Sequence, residues 1–149
     1  MKKVFLYVCA IVCTLGLTTS CNHAVTPDSM SGTYHGIMDV KVNIPGIYQG
    51  EFEQNNYVTV SKADESHVDI ALNLDLVQDT NPELATWLNF GDVTARCLIG
   101  PTIGGEATLL GDATVAGKTV IVSGDYEERT LDLTFSLGIV TVEFEGTRR

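Results

Sequence analysis

Residues 130–146 read TLDLTFSLGIVTVEFEG, and their alternation decides the fold. Leu131, Leu133, Phe135 and Leu137 alternate with Thr130, Asp132, Thr134 and Ser136. After Gly138, Val140, Val142 and Phe144 alternate with Thr141, Glu143 and Glu145. A period of two sends successive side chains to opposite faces of a strand. Each segment therefore has one apolar face and one wet face, the mark of an antiparallel sheet covered on one side only.

The same period runs through the body of the chain. In HVDIALNLDL, residues 67–76, Val68, Ile70, Leu72, Leu74 and Leu76 point one way, and His67, Asp69, Ala71, Asn73 and Asp75 the other. Weaker versions span 34–44, 51–61, 90–99, 106–110 and 118–123. Turn residues separate them in NIPG, KADES, IGGE, AGK and GDYEE. The pattern predicts about eight strands joined by hairpins. One helix of about two turns is expected in TNPELATWL, residues 80–88, with Asn81 as cap, Pro82 in the first turn and Glu83 at the positive end. Trp87, the single tryptophan, would lie there with Leu84, Leu88 and Phe90, packed on the end of the fold or placed as a lid.

Eight one-sided strands fit either a closed up-and-down barrel or a two-sheet sandwich. A closed barrel has no sheet edges and is preferred, although periodicity does not choose between the two. Its expected inward set is Met38, Val40, Val42, Val58, Val60, Val68, Ile70, Leu72, Leu74, Val93, Ala95, Val120, Val122, Leu131, Leu133, Phe135, Val140, Val142 and Phe144.

The first 20 residues differ from the rest. Lys2 and Lys3 precede an apolar run from Val4 to Leu17, and Thr18, Thr19 and Ser20 follow. That order of charge, apolar run and small residues is that of an export signal. The run is shorter than the ~20 residues of a membrane span. Cys9 and Cys13 fall within it. Cys21 follows directly, with Leu17 four residues before it. This arrangement resembles the lipobox of bacterial lipoproteins, in a loose form carrying threonines. The resemblance implies that Cys21 becomes the N-terminus and bears a diacylglycerol. Asn22 to Ser31 would be a polar tether. The expected organisation is a signal peptide over 1–20, a tether over 21–30 and a barrel domain over 31–149. Asn22 to Thr26 contain no acidic residue, so the periplasmic face of the outer membrane is favoured over the cell surface.

The strand pattern carries a second resemblance. SGTYHGIMDVKV, YVTVSKADESHVDIALNLDL, FGDVTARCLIG and VIVSGDYEERTLDLTFSLGIVTVEFEG follow one another in an order similar to the calycin-like β-barrel domains of Bacteroides-type lipoproteins. Gly32–Thr33–Tyr34 resembles the Gly–X–aromatic start of a lipocalin-type first strand, with Tyr34 where tryptophan is usual. VEFEG resembles the family's last strand. The resemblance spans Ser31 to about Gly146 and implies an eight-stranded barrel. It implies no activity, since a fold does not fix a function.

Charge and chemistry exclude more than they assign. The chain has 9 basic and 19 acidic residues. Removing Lys2 and Lys3 leaves 7 basic against 19 acidic, a formal charge of −12. Such a surface repels nucleic-acid phosphates and anionic lipid headgroups, so no nucleic-acid partner is expected. With Cys21 used by lipid, Cys97 has no disulfide partner and is read as a small core residue. His23, His35 and His67 are scattered, without the spacing of a zinc site. Asp125, Glu127, Glu128 and Asp132 lack the ligand order of a calcium loop. IGGE has no following Lys–Ser/Thr, and no nucleophile elbow is visible. No catalytic residue, metal or cofactor is expected, and the protein is read as a non-enzyme. Two functions remain. The preferred one is a lipid-anchored module holding a small apolar ligand, a fatty acid, lipid or similar, among Met38, Ile70, Leu72, Phe135 and Phe144, with Trp87 near the mouth. The other is a filled barrel whose outer surface binds another envelope protein. The volume inside the barrel separates them.

Overall fold

The computed structural model describes residues 24–75, 82, 93–115, 117–136 and 138–149. Eight antiparallel strands close into a barrel in sequence order. They are β1 (Gly32–Ile44), β2 (Tyr48–Lys62), β3 (His67–Leu72), β4 (Val93–Ile99), β5 (Glu106–Val115), β6 (Lys118–Glu127), β7 (Thr130–Ser136) and β8 (Val140–Thr147). Closure is made by β1 against β8, from His35 opposite Thr147 to Val42 opposite Val140. The sandwich is thereby excluded.

The alternation read from the sequence sets which face is inside. Every residue of the expected inward set is buried. Tyr34, Cys97, Ala107, Leu109, Ala113, Val115 and Tyr126 join them. The outer face carries Thr, Asp, Glu and Lys at the intervening positions, so the register of each pair is fixed by burial.

Strands β3, β5 and β6 depart from the periodicity in ways that matter for the barrel. β3 stops at Leu72, and Leu74 and Asp75 are helical. Leu74 is nonetheless fully buried, so a turn keeps it on the core where a continued strand was expected. β5 runs on from Leu110 to Val115, and β6 runs on through GDYE to Glu127. The Gly–Asp pairs 111–112 and 124–125 resemble turns but lie mid-strand. A Cβ on Gly111 would sit 1.9 Å from the Arg96 carbonyl oxygen, and one on Gly124 would sit 2.3 Å from that of Asp132. Both glycines serve close backbone approach where the sheet curves. The turn itself comes later, at Glu128 and Arg129. The helix expected over residues 80–88, with Asn81 and Trp87, lies outside the described residues except for Pro82, which is helical and exposed. Leu76 and Leu137 also lie outside them.

The segment expected as a tether is partly docked. Pro27–Met30 form one helical turn, α1. Thr26 Oγ1 accepts from the Ser29 N–H (3.1 Å), and Ser29 Oγ accepts from the Thr26 N–H (2.8 Å), a reciprocal cap. Met30 is fully buried in the core cluster, and Val25 packs against it. α1 therefore closes the barrel end where β1 starts and β8 finishes. The 45–47 turn and the C-terminal ends of β3, β5 and β7 are at the other end.

Candidate functional site

The barrel interior is the site that the sequence points to, and its residues meet there. Met38 on β1 lies opposite Phe144 on β8, which lies opposite Leu133 on β7. Phe135 faces Val142 on β8 and Val122 on β6. Ile70 lies between Val60 and Ala95, and Leu72 between Val58 and Val93. Met38 and Ile70 have no accessible surface, Phe135 and Phe144 have 3%, and Leu72 has 4%. A side chain with no accessible surface touches neither solvent nor a void wide enough for a water molecule. Val40, Val58, Val68, Val122, Leu131 and Val140 share that state. The interior is packed at those levels, as in barrels filled by their own side chains. Trp87 and Cys21 lie outside the described residues.

Polar groups inside are few and paired. Among the described residues Asn56 is the one buried polar side chain, at 5% exposure. Its amide donates to the Asn73 carbonyl (2.9 Å) and to Met38 Sδ (3.3 Å), and its Oδ1 accepts from the Tyr57 N–H (2.8 Å). It ties β2 to the start of the long connection. At the α1 end, the Tyr34 hydroxyl donates to the Met30 carbonyl (2.6 Å), and Tyr126 meets the Tyr34 ring edge-on at 6.4 Å. The Arg148 guanidinium lies over the Tyr34 ring at 5.9 Å. Burial, then the neighbouring Tyr126, push the Tyr34 hydroxyl well above its ordinary range. Burial, then Asp112 and Asp69, push the Cys97 thiol up to about 11. A thiol at that value is protonated at neutral pH and a poor nucleophile.

The histidines that the structure describes stand apart. His35 is exposed on β1, while His67 Nδ1 lies 2.8 Å from Asp64 Oδ1. Asp64 also caps the 63–66 turn, accepting from the Ser66 and His67 N–H groups, and these bonds hold its carboxyl well below the usual range. Among the described residues no three His, Cys, Asp or Glu side chains gather as a metal site.

The outer face is divided by charge. Lys41 reaches Glu143 (2.8 Å), Asp39 (3.1 Å) and Glu51 (3.9 Å), spanning β8, β1 and β2. Arg96 holds Asp69 through two bonds, 2.8 and 3.0 Å, between β4 and β3. On β5–β8 the carboxylates oppose one another instead. Asp125 faces Asp132, Asp132 faces Glu145, and Glu106 faces Glu127. Partial burial, then Glu145 and Asp125, raise the Asp132 carboxyl, and Glu106 raises that of Glu127. A groove of about 500 Å³ runs beside them, lined also by Pro101, Ile103 and Thr108. Next to it, on β4–β6, the outer face is apolar. Leu98 lies directly opposite Leu110, and Ile121 is diagonal to Leu110. Their exposures are 47%, 60% and 63%. Sequence reading missed this patch. Its signal was present as apolar residues at wet positions, in LL at 109–110 and VIV at 120–122.

No family model matches the chain, and no curated protein is significantly similar to it.

Proposed function

We propose that this chain is a lipid-anchored envelope interaction protein, a filled barrel that presents the outer face of β4–β6 to a protein partner. A contrast between two surfaces carries the proposal. The interior residues suited to an apolar ligand have 0–4% of their surface accessible, while Leu98, Leu110 and Ile121 on the outside have 47–63%. Large apolar side chains grouped on a solvated sheet face mark a contact surface more often than scattered ones do. Arg96, Asp112 and Ser123 supply a polar rim around them. The anchor is Cys21, read from the small residues before it.

A photoreactive residue placed at Leu110 in the native envelope tests this. It should give one discrete cross-linked species, and Leu98→Ser with Ile121→Ser should abolish it without lowering the melting temperature. The same probe at Thr134, on the acidic face, should give none. If Leu110 cross-links to nothing while a stoichiometric apolar molecule co-purifies, the interior-ligand reading replaces this one.

A further inference from the structure

The docked N-terminal segment limits how far the barrel can stand from a membrane. The Val25 N–H donates to Thr102 Oγ1 (3.1 Å), Lys62 pairs with Asp28 (3.2 Å), and Met30 is buried in the core. The chain is therefore held to the barrel from Val25 onward. Cys21 precedes Val25 by four residues, which extend to at most about 14 Å. An acyl-bearing Cys21 keeps this end of the barrel within that distance of the headgroups. The opposite end lies roughly 25 Å farther off, from ten-residue strands at ~3.3 Å per residue tilted by ~40°.

One part of the near end suits a lipid surface. Ile103 is 78% exposed, the highest value among the large apolar side chains of the described residues. It is presented by a tight Gly–Gly turn. Ile103 and Glu106 exchange both backbone bonds (3.0 Å each), and Gly104 and Gly105 take φ of 61° and 86°, the left-handed pair that such a turn needs. The same loop carries Thr102, so Ile103 projects beside the point where the chain leaves for Cys21. Arg129 and Arg148 line a cavity of about 410 Å³ with Ala24, Val25, Gly104 and Gly105, and Arg149 lies next to it. None of these three arginines makes an ion pair among the described residues. Arg148 is held by the Ser31 carbonyl, which leaves Arg129 and Arg149 turned to solvent. Ile103 also borders the acidic groove of Glu106, Glu127 and Asp132, Glu128 lies beside the arginines, and Asp28, Asp64 and Glu65 are exposed at the same end, so Arg129 and Arg149 are the unpaired cations of an end that carries both charges.

We infer that the barrel stands end-on on the bilayer, with the Ile103 turn and the side chains of Arg129 and Arg149 against the lipid headgroups. The inference rests on lipidation of Cys21. It leaves the β4–β6 face roughly upright and open to a partner from the side.

The test uses the intact acylated protein in vesicles of phosphatidylethanolamine and phosphatidylglycerol. Ile103→Cys and Ile47→Cys each take a fluorophore. Ile47 is a matched site, 69% exposed in the turn at the far end. Cys97 is buried and does not compete for label. A nitroxide-bearing lipid should quench the label at 103 at least fivefold more than the label at 47. Adding Arg129→Glu with Arg149→Glu should reduce that ratio at least twofold. Equal quenching, or stronger quenching at 47, overturns the orientation, and an unchanged ratio in the charge-reversed protein overturns the role of the arginines. Intact mass of the same preparation separates the two levels. A chain without acyl groups on Cys21 overturns the anchor and the inference with it. An acylated chain with the wrong quenching order overturns the orientation alone.

Discussion

Cys97 shows how burial decides a residue's role. It sits on β4 between Val68 and Gly111, is fully buried, and its thiol is pushed up by that burial. Cys97→Ala should cost about 1–2 kcal/mol, the loss of a small buried group. The melting temperature of the native protein should not change with dithiothreitol, and a fall on reduction would reveal a disulfide. Tyr34 is the second case. Its hydroxyl bonds the Met30 carbonyl and joins α1 to β1. Tyr34→Phe leaves that buried carbonyl short of a donor and should cost about 1–3 kcal/mol. The folded-state value of this phenol lies above the unfolded value of ~10. Its contribution is complete below about pH 10 and is lost as the pH rises beyond that, because only the unfolded phenol then ionises. Unfolding in urea at pH 8 to 11 should show wild type losing stability above pH 10 more steeply than Tyr34→Phe. Parallel curves would contradict this assignment.

At the scale of elements, the β6–β7 turn is the least comfortable piece of backbone. Glu128 and Arg129 take φ of 44° and 73°, a pair of left-handed residues that a two-residue hairpin normally fills with Asn–Gly. Each non-glycine residue held there costs about 1–2 kcal/mol. Glu128→Asn with Arg129→Gly should therefore raise stability by about 1–2 kcal/mol in thermal or urea unfolding, and a loss would contradict the strain. The same variant should bind vesicles less well if Arg129 meets headgroups. Elements also show what the sequence makes legible. Strict alternation located β3, β7 and β8 and their inward sides, since a period of two leaves no choice of face when one face is buried. Gly111 and Gly124 hid the second halves of β5 and β6, because a glycine needed for close approach looks the same as one needed for a turn. Thr26–Pro27–Asp28–Ser29 did carry a helix-start signature, a capping residue followed by proline, but it is short and polar and reads as tether. Only its contact with Thr102 and the burial of Met30 turn it into a plug.

At the scale of the whole molecule, closure into a barrel was legible and the filling was not. Each strand reports its own inward face, but interior volume depends on how side chains from facing walls fill the space between them. Met38, Phe135 and Phe144 on the adjacent strands β1, β7 and β8, and Ile70 and Leu72 on β3, all have 4% or less of their surface accessible. The outer face then offers what is left to recognise: an apolar group on β4–β6, an acidic sheet on β5–β8, and an arginine-bearing end beside the proposed anchor. On the proposed function, the barrel holds no ligand and works through its outside. Native mass spectrometry of residues 22–149, with lipid extraction of the same sample, tests this most directly. The expected mass is that of the bare chain, with only traces of lipid, well below one molecule per barrel. A stoichiometric apolar molecule that survives purification and is lost in Leu72→Trp, which overfills the interior, would contradict it.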